Sequence, residues 1–158
     1  MKEVLFRGKT YTDKWEYGDL RHGGYVHNDS ETYIMYADYA LHNIPVNPQT
    51  VGQYTGLVDK NGKKIFEGDI VQYNTYDDFD CHSIVKFGEY KQDGSGGEYS
   101  GRKCIGFYVN VDNFTCPDWC DNEPECFPYH MWQQNILEVA KECEVIGNIY
   151  DNPELLTT

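Results

Sequence analysis

A chain of 158 residues, 40% hydrophobic and 25% charged, can bury a core of its own, which excludes wholesale disorder. No stretch approaches the roughly 20 apolar residues of a membrane span. The opening MKEVLFRGKTYTDKW has charges every few positions and no apolar h-region, so neither a membrane protein nor a secretory signal is expected and a cytoplasmic setting is. The net charge of −13 is uneven: residues 1–68 hold 8 basic and 9 acidic side chains, residues 69–158 hold 5 and 17. Such acidity repels phosphate backbones, so direct nucleic-acid binding is not expected and a protein partner is.

In chain order, VLFRG, WEYGDL, GYVHN and ETYIMYA are short, rich in β-branched and aromatic residues, and separated by Gly, Asn and Asp. They predict an N-terminal β meander. ADYALHNIPVNPQ, residues 37–49, has two prolines and no sustained period, and is expected to be an irregular connection with one helical turn before Pro45. Asp59-Lys60-Asn61-Gly62 is a tight-turn sequence that lets Leu57-Val58 pair with Lys64-Ile65-Phe66. Gly68-Asp69 makes a second corner, and Ile70–Tyr73 follows as a strand with Val71 and Tyr73 on one face.

Further strands are predicted at Ile84–Phe87, Cys104–Val111 and Glu144–Tyr150. In the second of these, Phe107, Val109 and Val111 face one way and Tyr108 and Asn110 the other. KQDGSGGEYSGRK between the first two suggests a long hairpin loop. MWQQNILEVAKE is the best helical candidate, although Ile136–Val139 suits a strand equally. The fold class is therefore mainly β: a small β-rich subdomain over residues 1–50, then an SH3-like barrel over residues 51–158 with a Cys- and aromatic-rich insertion at 112–132.

TVGQYTGLVDKNGKKIFEGDIVQY, EVIGNIYDNPELL and FRGK…WEYG together resemble the YopX family of phage and prophage proteins. The resemblance implies a phage or prophage origin, a bacterial cytoplasm as the setting, and an SH3-like barrel in the C-terminal part. It carries no catalytic residues over to this chain. Independently of it, Gly52, Gly56, Gly62, Gly68 and Gly147 suit corners or close backbone approach, and Asn152-Pro153 suits the end of the last strand.

The insertion spaces candidate metal ligands as Cys116-x3-Cys120-x5-Cys126-x3-His130. Two short-spaced pairs suit tetrahedral zinc, but the bridge between them is short for a zinc module. Unligated thiols are the favoured reading, and zinc the alternative. Disulfides are disfavoured in a reducing compartment. Trp119, Phe127, Tyr129 and Trp132 can anchor this loop or offer an interaction patch.

Asp77-Asp78-Phe79-Asp80 lacks the alternating acids and central glycine of a calcium loop, and Gly94-Ser95-Gly96-Gly97 lacks the Lys-Ser/Thr of a phosphate loop. The histidines are His22, His27, His42, His82 and His130, and Cys81-His82 would face opposite ways on a strand. With no catalytic constellation, the expectation is a non-enzymatic accessory protein that acts by protein–protein contact and needs no cofactor. Two alternatives accompany it, an acidic mimic of DNA and a zinc-binding protein. Exposed strand edges and many tyrosines favour a homo-oligomer.

Overall fold

Where apolar residues alternate along short segments punctuated by turn formers, the chain runs as strands, and the computed structural model is mainly β. It describes residues 4–23, 32–35, 43–74, 80–92, 102–114 and 133–156. The chain divides into two compact units, Met1–Gly56 and Leu57–Thr158.

In the first unit, β1 (Phe6–Lys9), β2 (Trp15–His22), β3 (Thr32–Met35), β4 (Asn43–Val46) and β5 (Gly52–Val58) form an antiparallel sheet ordered β4-β3-β2-β1-β5. Ile34 and Val46 are buried in its core. The Arg7 guanidinium lies 4.7 Å from the Trp15 ring centroid, a cation–π contact.

The expected GYVHN strand lies outside the described residues. The irregular connection expected over residues 37–49 is corrected in part: Asn43–Val46 is a strand, with Pro45 exposed opposite Tyr33. Proline lacks a donor, and β4 stands at the end of the sheet order, where a missing ladder bond costs least. Residues 37–42, where a helical turn was expected before Pro45, lie outside the described residues; a 3-10 turn forms after Pro45, at Pro48–Thr50. There the Asn47 side chain accepts from the Gln49 amide at 3.1 Å and Pro48 presets the first φ.

The second unit opens with the hairpin of the end of β5 and β6 (Lys64–Phe66), joined by the Asp59–Lys63 turn. Then come β7 (Asp69–Asn74), β8 (Asp80–Gln92), β9 (Arg102–Phe114), β10 (Gln133–Asn135), the single helical turn α1 (Ile136–Val139) and β11 (Glu144–Asn148). Their sheet is ordered β10-β9-β8-β7-β11, and it curls into a half-barrel with no pairing between its end strands among the described residues. Its core gathers Ile65, Val71, Tyr73, Val85, Val109, Ile136, Val139, Ala140, Cys143 and Val145. Ile136–Val139 resolves as helix because the Asn135 side chain accepts from the Leu137 amide at 2.9 Å and caps the turn.

The turn at Asp59 ties the two ends of this unit together. Gly62 takes φ 81°, the positive angle that the turn demands. Asp59 Oδ1 accepts from the amides of Asn61 (2.8 Å) and Lys63 (2.9 Å), while Oδ2 accepts from the Val145 amide on β11 (2.9 Å). The Lys60 amide donates to the Cys143 carbonyl at 3.0 Å, and Lys63 Nζ to the Val145 carbonyl at 3.1 Å. Burial alone would raise the Asp59 carboxyl, but the amides of Val145, Lys63 and Asn61 outweigh it and hold the group below its ordinary 3.8.

At the far end of β11, an added Cβ on Gly147 would sit 2.6 Å from Asn152 Oδ1, so the Asn152-Pro153 turn packs directly on the strand. Asn148 Oδ1 accepts from the amides of Tyr150 and Asp151, both at 3.0 Å, and ends the strand there.

Asp59→Asn should lose about 2 kcal/mol at pH 7, because an amide leaves one of the donors facing an N–H in place of an acceptor. A carboxyl held low stabilises the fold above its unfolded value, and that contribution fades as pH falls through the folded one. Chemical denaturation from pH 7 to pH 2 should therefore show a shallower acid loss in the variant than in the wild type.

Candidate functional site

Two strands of 13 residues each are long for a small barrel, and β8 and β9 pair along almost their whole length, from Cys81 opposite Phe114 to Gln92 opposite Arg102. Alternate residues share a face, so the odd-numbered residues make one row of opposed pairs: Val85–Val109, Phe87–Phe107, Glu89–Ile105 and Lys91–Lys103. Burial falls steadily along this row. Val85 and Val109 are fully buried, Phe107 packs against the core, Phe87 is 52% exposed and Ile105 is 79% exposed.

The gradient arises because the ribbon changes which face it turns inward. Gly88 and Gly106 sit opposite each other and leave a gap in the even-numbered row. Tyr90 and Tyr108 stack across that gap, with ring centroids 5.1 Å apart and planes at 17°. Tyr90 is buried, and its hydroxyl accepts from Asn135 Nδ2 at 2.9 Å; the Lys91 amide donates to Gln133 Oε1 at 2.7 Å. Gln133 pairs with both Asn110 and Gln92, so β10 is gripped by both strands of the curled ribbon. Before the glycine pair the odd face lines the core. Beyond it the even face is the packed one, and the odd face is turned to solvent.

The outward row combines three apolar side chains with charge. Phe87 and Phe107 meet edge to face, with centroids 5.0 Å apart and planes at 62°. Lys103 Nζ reaches Glu89 Oε1 at 2.7 Å beside Ile105, an exposed ion pair of small energetic weight. Four of the five basic residues in 69–158 lie on these two strands: Lys86, Lys91, Arg102 and Lys103. An apolar surface edged by Lys91 and the Lys103–Glu89 ion pair is the site that the described residues offer.

The other candidates separate cleanly. Cys116, Cys120, Cys126 and His130, with Trp119, Phe127, Tyr129 and Trp132, lie outside the described residues, as do the glycine-rich tip at 94–97 and residues 77–79. Among the described residues, no three His, Cys, Asp or Glu side chains are gathered as a metal ion requires. Nor is any helix long and apolar enough to cross a membrane.

Cys104 and Cys143 are free thiols. Burial, and next the Asp59 carboxylate, push the Cys143 thiol up to about 11, and its Sγ lies 3.5 Å from the Ala140 carbonyl; it is a core side chain, unfit as a nucleophile. Tyr73 and Ser83 share a buried hydroxyl contact of 3.4 Å inside the half-barrel. Sequence reasoning missed the outward row because Phe87, Ile105 and Phe107 alternate as core residues do.

Three comparisons bear on the chain. The family model described as YopX protein matches residues 5–157. A crystal structure of protein EF1440 from Enterococcus faecalis is similar over 99% of each chain, at 23% identity and a TM-score of 0.41. No curated protein matches.

If the row changes role at the glycine pair, substitutions on either side of it should differ sharply. Val109→Ala should cost about 2 kcal/mol through the cavity it leaves. Ile105→Ser should shift stability by no more than about 0.5 kcal/mol, as at other exposed positions. Urea denaturation of the two variants measures both.

Proposed function

The chain belongs to the YopX protein family, and on that premise we propose that it is a phage or prophage accessory protein of the bacterial cytoplasm that acts by binding protein. The observation that carries this reading is the outward row on β8 and β9: Phe87 and Ile105 are exposed next to Phe107 on a paired ribbon, with Lys91 and the Lys103–Glu89 ion pair at its margin. Apolar side chains ringed by charge are the usual composition of a protein contact. A preordered strand pair lowers the cost of ordering on association. The role proposed is that of a binding module.

Affinity purification from bacteria expressing the wild-type chain, with mass-spectrometric identification of what is retained, tests the reading. One identified protein should be held by the wild type and by a Tyr11→Ser control, and lost by a Phe87→Ser/Ile105→Ser variant of unchanged melting temperature. Equal retention by all three would remove the row from the binding surface.

A further inference from the structure

Of the chain's asparagines, only Asn61 precedes a glycine. That pair is the most labile setting for an asparagine, because a glycine nitrogen has no neighbouring side chain to hinder its attack on the carboxamide. Asn47 and Asn152 precede prolines, which have no N–H, and every other asparagine precedes a residue whose side chain crowds the nitrogen. We propose that Asn61-Gly62 is a self-modification site, guarded by the closed Asp59 clamp and converted to aspartate or isoaspartate when the hairpin opens, with loosening of β11 as the consequence.

The step needs only water. The Gly62 backbone nitrogen bonds to Cγ of Asn61 as its proton passes to solvent, and the side-chain nitrogen leaves as ammonia. Water then opens the resulting cyclic imide. Breaking the new bond gives aspartate, and breaking the original peptide bond gives isoaspartate, in which the main chain runs through the former side chain. Nothing is oxidised or reduced, and the net exchange is an NH for an oxygen.

The folded turn keeps the two reacting atoms apart. The Gly62 amide donates to the Asp59 carbonyl at 3.0 Å, so its nitrogen is held to that partner and turned from the Asn61 side chain. On either side of it, the amides of Asn61 and Lys63 both donate to Asp59 Oδ1, at 2.8 and 2.9 Å. The Asp59 amide closes the turn on the Lys63 carbonyl at 2.9 Å. These bonds fix the backbone torsions that must rotate before Cγ meets the nitrogen in an attacking geometry. Access is not what protects the pair. Lys60 to Lys64 are all exposed, and an added Cβ on Gly62 would meet nothing within 4 Å. A hairpin recloses in about 1–10 µs, far faster than amide chemistry, so the rate follows the equilibrium population of the open turn.

The product does not fit the clamp. Isoaspartate inserts a backbone carbon between the two amides that share Asp59 Oδ1, and they no longer match one oxygen. Aspartate instead places a second carboxylate close to the first. Either change loosens the side chain whose Oδ2 holds the Val145 amide of β11 at 2.9 Å. The chain thus carries an ageing mark at the turn that closes its core.

Peptide mapping by mass spectrometry of the full chain, sampled during incubation at mildly alkaline pH, is the test. Conversion at Asn61 should be at least about tenfold slower in the native wild type than in the same chain unfolded in urea. Folded Asp59→Asn should convert at Asn61 up to about thirtyfold faster than the wild type, the factor in open population that its expected loss of stability implies. Should that variant not fold, wild type in sub-denaturing urea takes its place, and conversion should rise in step with hydrogen exchange of the Lys63 amide. The isoaspartate form, separated by chromatography, should exchange its Val145 amide at least about tenfold faster than the unmodified chain.

An unfolded chain that leaves Asn61 intact removes the site. Equal conversion in the native and unfolded chains, or conversion that opening of the turn does not accelerate, overturns the guarding role of Asp59. An isoaspartate form that protects Val145 as well as the unmodified chain overturns the coupling to β11.

Discussion

One buried carboxylate organises the second unit. Asp59 ends a strand, closes its own turn through the amides of Asn61 and Lys63, and accepts the amide of Val145 from the far end of the unit. A carboxylate suits this place because three N–H groups converge on two oxygens, and an ionised group returns roughly twice the strength of a neutral acceptor. Lys63 adds the complementary bond to the Val145 carbonyl, so β11 is held by donor and acceptor at one residue. With β11 fixed beside β7, Val145 and Cys143 close the core that Val85 and Val109 enter from the ribbon.

The candidate surface is a by-product of how the core is closed. A straight ribbon of two 13-residue strands would bury one face or neither. The paired glycines at 88 and 106 let it coil, and Tyr90 and Tyr108 stack on either side of the pair. Once the even face has turned in against β10, the odd face beyond the glycine pair is exposed among the described residues. Phe87 and Ile105 are therefore outside for the same reason that Tyr90 is inside.

What could be read from the amino-acid order was whatever depends on neighbours in the chain. Asn61-Gly62 declares its turn because the required φ is a local property, and Gly68 and Asn152-Pro153 mark ends for the same reason. The strands at 84–87, 104–111 and 144–150 were legible from alternation, with ends displaced by a few residues. Pro45 misled because a proline in a strand is tolerated or not according to which strand lies beside it. The contact of Asp59 with Val145 spans 86 positions and leaves no local trace. Nor could the outward row be recognised, since alternation shows that Phe87, Ile105 and Phe107 share a face and is silent on whether the sheet curls towards it. The cysteine and tryptophan candidates at 116–132 lie outside the described residues.

The reach of the Asp59 clamp also sets an order of events during synthesis. A chain emerging from the ribosome can form the Asp59–Lys63 turn as soon as those residues are free, since its bonds are local. The remaining acceptor stays open until Val145 arrives, 86 residues later, which at about 5–20 residues per second is a wait of roughly 4 to 17 seconds. Throughout that interval Val71, Val85 and Val109 lack the strand and helical turn that complete their core. The second unit is thus obliged to fold as a late, single step, with its ribbon formed early and its closure supplied by the last strand to be made.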